Sequence, residues 1–191
     1  MTTPNGRGSP EMLAAELVEA RDAFMAALAD IDPALLKTPG LAGQWSAREL
    51  VAHLGYWTGH AAEALHLAEQ DRADEFGESD MDVDERNAVV ARVALETDLA
   101  TVRVREEAAF QALLSALGML DPERLTDRVA YGDTIEQVVR DDGPDHYREH
   151  ALDIRSWFTG DDEPEDEDEP DGDDAPDDED EPDDDDAPED E

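Results

Sequence analysis

The sequence contains no cysteine and a single lysine, Lys37, and both shortages narrow its chemistry. Without thiols the chain can form no disulfide, no thiolate-bound metal site and no cysteine nucleophile. Only 14 basic residues stand against 54 acidic ones, which gives a formal net charge of −40. Because proteins bind phosphate backbones mainly through lysine and arginine, this balance predicts that nucleic acid is not a partner.

Long apolar runs are also missing. No stretch approaches the roughly 20 apolar residues that cross a membrane. The first ten residues, MTTPNGRGSP, lack the apolar core of a signal peptide. We therefore expect a cytoplasmic protein with no membrane partner. The shortage of lysine beside abundant alanine, aspartate and glutamate fits a high-GC genome, a salt-adapted cytoplasm, or both.

The acidic residues are concentrated at the C-terminal end. Residues 161–191 hold 23 acidic residues and no basic one, so residues 1–160 keep 31 acidic against 14 basic residues, a net charge of about −17. A segment this polar has too little apolar surface to offset its ordering entropy, which predicts a disordered tail. A solvated brush that maintains solubility is the favoured interpretation. A nucleic-acid mimic or a handle for a basic partner is the alternative.

The rest of the chain has the periodicity of helices, and no β segment or internal repeat stands out. Ser9 and Pro10 suit the N-cap and the first position of a first helix. A second helix is expected over about residues 46–70. There Ser46 and Glu49 have the spacing of a capping box.

Two further helical regions complete the predicted fold. One covers about residues 84–117, with a break near Thr97 or Thr101, and the other covers about 134–158, interrupted near 142–144 where Gly143 precedes Pro144. We therefore predict an all-α protein. It consists of a flexible leader (1–8), a four-helix bundle (9–160) and a disordered acidic tail (161–191).

Two of the five histidines lie one helical turn apart in the last helix. His146 and His150 are at positions i and i+4, so both rings project from one face about 5–6 Å apart. This spacing suits two ligands of one divalent ion, although many such pairs are simply exposed to solvent. The run HYREH also matches the H-x-x-E-H signature of a zinc peptidase, with Glu149 as its base. Such a site needs another ligand well downstream, where only the tail follows, so we reject this interpretation.

His53 is the third candidate ligand. It lies between Leu50 and Trp57, on the face of the second helix that must pack inward. A buried imidazole needs a partner, because an unsatisfied polar group is costly. His53 is therefore either a core histidine bonded to a carboxylate or carbonyl, or a ligand that faces the histidine pair across the bundle.

Three residues of the second helix are candidates for pocket walls. His60 points roughly the same way as His53 but lies about 10.5 Å further along the axis, too far to share its ion. Tyr56 and Trp57 are the other two. His66 falls on a different face and is expected to be exposed.

Two stretches resemble the DinB/YfiT-like superfamily of metal-binding four-helix bundles. They are GQWSARELVAHLGYW (residues 43–57) and DHYREHALDIRSWF (residues 145–158). The segment TPGLAGQWSARELVAHL is also similar to the N-terminal domain of mycothiol-dependent maleylpyruvate isomerases. The resemblance implies a bundle over about residues 11–158 and a metal ion held by His53, His146 and His150, with open positions for water or substrate.

The implied function is that of a metal-dependent enzyme acting on a small-molecule substrate. The resemblance suggests transfer or isomerisation with a low-molecular-weight thiol, or hydrolysis. Zinc, nickel, iron and manganese stay open as the ion. Glu149 is not assigned as the base, because on a helix it points about 100° from each ligand. A non-catalytic metal- or ligand-binding module of a stress response is the alternative, and a homodimer is a common state of such bundles.

Overall fold

The computed structural model describes residues 8–77 and 81–159, with the backbone alone of residues 158 and 159. These residues form six α-helices: α1 (Pro10–Ala29), α2 (Ala47–Glu69), α3 (Val83–Leu95), α4 (Leu99–Met119), α5 (Ile135–Arg140) and α6 (His146–Thr159). Two 3₁₀ turns, Ala73–Glu75 and Pro122–Thr126, lie in the connections. The expected leader, apart from Gly8, and the expected acidic tail lie outside the described residues.

Four long elements make a helical bundle. α2 packs chiefly on α4, α1 packs on α6 and α4, and α5 and α6 act as one kinked helix. The fifth element, α3, packs mainly on α2. The predicted all-α bundle is therefore confirmed. Among helices in the described ranges, none has the length and apolar character that crossing a bilayer requires.

The helices begin where the capping residues predict. The Ser9 side chain accepts the Met12 backbone N–H at 3.2 Å, and Pro10 is the first residue of α1. At the start of α2, the Glu49 carboxylate accepts the Ser46 backbone N–H at 2.9 Å. The expected break between the middle helices falls at residues 96–98, and α4 restarts after an Asp98 cap.

The interruption predicted near residues 142–144 is also present. Residues 141–145 form a wide π-type turn in which Gly143 has φ −117° and ψ −109°, outside the helical region. Pro144 follows, and it has no backbone N–H to donate. The chain therefore changes direction between α5 and α6, and α6 begins at His146.

The core is built from aliphatic and aromatic side chains of all four bundle elements. Each such side chain contributes roughly 1.5–3 kcal/mol when fully buried. α2 and α4 approach closely at Gly55, where an added Cβ would lie 3.0 Å from the Cα of Glu106. The fully buried members include Leu13, Leu17, Phe24, Leu50, Leu54, Leu65, Leu113, Leu117, Ile135 and Ile154.

A buried polar network crosses this core and joins four helices. Glu106 on α4 is 1% exposed, and its two carboxylate oxygens accept hydrogen bonds from Arg21 on α1 at 2.7 and 2.8 Å. The Tyr147 hydroxyl on α6 donates to the same carboxylate at 2.6 Å and accepts from Thr58 on α2 at 3.3 Å. The guanidinium also lies 4.3 Å above the ring of Phe110. Burial and the Glu106 charge both raise the pKa of Tyr147, so the phenol stays protonated and able to donate.

We predict that Arg21→Met lowers the free energy of unfolding by about 3 kcal/mol, because it leaves a buried carboxylate without its cation. Urea denaturation measures the loss. Arg72→Met is the matched control, since Arg72 pairs with Glu75 at an exposed site where solvent screens the charges, so its removal should change the stability little. Equal losses in the two variants would contradict the role given to Glu106.

Candidate metal centre

Three imidazole rings meet between α2 and α6. The ring centroid of His53 lies 4.7 Å from that of His146 and 5.2 Å from that of His150, and the last two are 4.8 Å apart. One ring nitrogen from each residue lies within 4.8 Å of the others. The structure therefore brings together the three residues singled out as ligands, although 93 positions separate His53 from His146.

The ring nitrogens of this cluster have few partners. Nε2 of His53 lies 2.8 Å from Nε2 of His146, a contact in which one nitrogen must carry the proton and the other the lone pair. The Nδ1 atoms of these two rings and Nε2 of His150 are buried, with no hydrogen bond to any described residue. Buried polar atoms normally have a partner, and one nitrogen from each ring could be satisfied by a shared metal ion.

Burial keeps two of the rings neutral. It is the main cause that lowers the pKa of His53 to about 3, and the charges of His146 and His150 add to it. Burial likewise lowers the pKa of His146 to about 3, with His150 as the second cause. At neutral pH both imidazoles therefore offer a lone pair, as coordination requires. Three nitrogen donors around one point suit a divalent transition metal without selecting one.

Asp153 determines which nitrogen His150 turns toward the cluster. Its carboxylate lies 2.7 Å from Nδ1 of His150. Because a carboxylate accepts hydrogen bonds, Nδ1 carries the proton and Nε2 keeps its lone pair. A carboxylate behind a histidine is the usual support of a metal ligand. Asp153 was not identified from the sequence, although its i, i+3 spacing from His150 is visible there.

Two tryptophans flank His53. The ring of Trp45 lies 4.6 Å from the imidazole centroid and that of Trp57 lies 6.3 Å from it. Trp57 donates its indole N–H to the side-chain oxygen of Asn87 on α3 at 3.0 Å. These rings shield one side of the imidazole from water, and the indole bond connects α2 with α3.

The three imidazoles line a cavity of about 780 Å³, a volume in the range of small-molecule sites. Its walls come from α2, the first turns of α3, the loop after α4, and the α5–α6 kink. Besides the three histidines, it is lined by Trp45, Trp57, His60, Gly77, Met81, Asp82, Val83, Arg86, Asn87, Tyr131, Asp133, Val138, Asp141, Asp142 and Glu149.

The candidate wall residues do not all face this cavity. Trp57 and His60 do, whereas Tyr56 lines a separate, largely apolar cavity of about 340 Å³ between α2, α3 and α4. Glu149 also lines the metal-site cavity. Glu149 lies three residues after His146, which places it only about 60° from His146 around the helix axis. The expected separation of about 100° is therefore correct for His150 and wrong for His146. His66 is exposed, as expected.

His60 belongs to a polar chain on the cavity wall. Its Nδ1 lies 2.7 Å from a carboxylate oxygen of Asp142, and its Nε2 lies 3.5 Å from the guanidinium of Arg86. Since arginine only donates and carboxylate only accepts, Nδ1 carries the proton and Nε2 the lone pair. Burial raises the pKa of Asp142, and the contacts with His60 and Arg86 oppose that effect.

A comparison with protein-family models identifies the family. A profile described as the DinB superfamily matches residues 16–154. No curated protein matches the chain. Several solved structures are similar in fold, and three of them each match over 81% of this chain. At 11–16% identity they show the fold alone.

The first of these structures is the colibactin self-resistance protein ClbS in complex with a double-stranded DNA, with TM-score 0.66, 16% identity and 98% of its own chain covered. The second is an uncharacterised protein from Escherichia coli UTI89, with TM-score 0.66, 13% identity and 95% covered. The third is the sibling lethal factor precursor DfsB, with TM-score 0.66, 11% identity and 98% covered.

Proposed function

The chain belongs to the DinB superfamily, and on that premise we propose that it is a metal-dependent enzyme acting on a small molecule. The ligands are His53, His146 and His150. The observation that carries the proposal is the convergence of these three imidazoles, two of them at most 9% exposed, at the wall of a 780 Å³ cavity. A purely structural cluster would have its nitrogens hydrogen-bonded and would need no cavity beside it.

The chain's own residues prepare this site. Asp153 holds the proton of His150 at Nδ1, so Nε2 faces inward. Trp45 and Trp57 keep water from one side of His53. His53, His146 and His150 would hold a divalent ion, which would supply Lewis-acid chemistry to a bound molecule.

The reaction class we propose is transfer or isomerisation with a low-molecular-weight thiol, or hydrolysis. The likeness of residues 38–54 to mycothiol-dependent isomerases supports the thiol chemistry. In addition, the cavity wall offers polar side chains that can handle protons, namely His60 paired with Asp142, and Glu149. A metal-binding module without turnover is the competing outcome of the tests below.

We expect purified protein to hold about one divalent ion per chain, and His53→Ala or His146→Ala to hold less than about a tenth of that, because two imidazoles seldom retain the ion. Elemental analysis by plasma mass spectrometry measures both. His66→Ala is the matched control, since His66 is exposed on the same helix as His53 and bonds only Gln70.

Activity assays on the same proteins decide whether the chain is an enzyme or a metal-binding module without turnover. Metal-loaded wild type and His146→Ala are screened against pairs of thiols and electrophiles and against esters. Turnover lost with the metal supports the proposal. Unchanged metal content in both histidine variants would reject the site, and metal binding without turnover across the panel would favour the non-catalytic module.

A second prediction concerns Asp153. Asp153→Ala should weaken metal affinity about 10- to 100-fold, since His150 would lose the partner that orients it. Competition with a chromophoric chelator measures the affinity. Asp145→Ala controls for the loss of a nearby negative charge, because Asp145 pairs with Arg148 and touches no imidazole. Equal weakening in the two variants would reduce the role of Asp153 to charge alone.

The DNA in the ClbS complex raises the question whether this chain binds a duplex. Its charge argues against it, because 54 acidic residues repel phosphates and several arginines are already paired with carboxylates. We therefore propose that DNA is not a ligand of this chain. A labelled duplex at physiological salt should show no anisotropy change below about 100 µM protein.

Residues 1–160 alone serve as the second arm of this experiment. They keep a net charge of about −17, so they too should fail to bind. Binding by full-length protein would contradict the prediction. Binding by the shortened protein alone would show that the acidic tail competes with DNA for the same surface.

A further inference from the structure

Arg86 is the only lysine or arginine among the described residues that line the metal-site cavity. It lies in the first turns of α3 and is half-buried. It lies 3.5 Å from Nε2 of His60, and its charge also acts on the nearby Asp142 carboxylate, although no described carboxylate is close enough to form an ion pair with it. Other arginines of this acidic chain do pair with carboxylates, namely Arg21, Arg72, Arg124, Arg140 and Arg148.

Asn87 adds a second donor to the same wall. Its side-chain oxygen accepts the indole N–H of Trp57 at 3.0 Å, which determines the orientation of the amide. An indole only donates, so the NH₂ group is on the other branch of the amide, and the Asn87 side chain also interacts with His53. The cavity wall formed by α3 therefore presents a guanidinium and an amide, both of them hydrogen-bond donors.

Several aspartates of the cavity wall limit the charge of the anion that Arg86 and Asn87 can bind. Asp133, Asp141 and Asp142 lie near Tyr131, and after burial their charges are the causes that raise the pKa of this phenol to about 12. Such a rim repels a group with two negative charges more than a group with one. A phosphate monoester carries about −1.5 to −2 at neutral pH, whereas a carboxylate carries one charge in a plane that matches a guanidinium.

The distance from the metal ligands to Arg86 suits one small molecule. Arg86 contacts His60, which lies seven residues beyond His53 and about 10.5 Å along the helix axis. Trp57 lies between them, with its ring centroid 6.3 Å from that of His53 and 5.1 Å from that of His60. A ligand with one end at the imidazoles and the other at Arg86 would therefore lie along a single aromatic wall.

We propose that Arg86 determines specificity by binding a carboxylate of the substrate, whose reacting end lies at the three histidines. The inference rests on the proposed metal site and adds the substrate class, a small carboxylic acid. Asn87 supports the carboxylate as a neutral donor. The acidic rim excludes phosphorylated molecules of the same size.

Cobalt-loaded full-length protein tests this with thiols that carry a carboxylate. Mercaptoacetate, 3-mercaptopropionate and 6-mercaptohexanoate are titrated beside their carboxamides, and the thiolate-to-cobalt absorption reports binding. We expect at least one acid to bind about 10-fold more tightly than its amide, since a charge-assisted pair with arginine contributes that much. In Arg86→Gln that ratio should fall to about one, with the affinity for the amide unchanged.

Arg92→Gln is the matched control, because it removes the same charge from α3 outside the cavity. It should keep the preference for the acid. A preference that survives in Arg86→Gln would belong to chelation of cobalt by the carboxylate and would overturn the inference, as would an equal loss in Arg92→Gln. Failure of cobalt to bind would overturn the proposed function as well, so the two failures are distinguishable.

Discussion

The arrangement of the histidines depends on a carboxylate that touches none of them. Glu106 is buried in the bundle, and the Tyr147 hydroxyl donates to it. Because Tyr147 follows His146 directly, this bond determines the rotation of α6 about its axis. At about 100° per residue, His146 and His150 lie roughly 100° and 60° from the tyrosine, on the flank that faces α2. A different rotation of α6 would move both rings away from His53.

The kink before α6 acts on the same site from the other side. Gly143 and Pro144 are buried and end the regular hydrogen bonding of α5, so the ligand helix starts afresh at His146. Asp142, inside the kink, bonds to His60 on α2. The turn therefore places the first histidine of α6 and also contributes to the cavity wall. A straight helix through these residues would provide neither.

The features of the fold that depend on local sequence patterns were predicted correctly. The capping residues predicted the starts of α1 and α2, the break near Thr97 predicted the division of α3 from α4, and the family resemblance is confirmed. Asp153 was not predicted from the sequence, although its helical spacing from His150 could have identified it. The sequence could not predict the bond of Arg21 to Glu106 or the contact of Arg86 with His60, because these join residues whose meeting depends on helix rotation and packing. Tyr56 shows the same limit, since adjacent residues of α2 face different cavities.

The two sides of the cavity differ in how firmly they are held. The histidines lie on bundle helices locked by a full core and by the Glu106 network, so the ligand geometry is rigid. α3, in contrast, buries only Ala94 among its residues and packs mainly on α2. An element with so few buried contacts has low local stability and tolerates changes of sequence at little cost to the fold. The cavity wall formed by α3 is therefore held less firmly than the three histidines, and the bond from Trp57 to Asn87 connects the two sides.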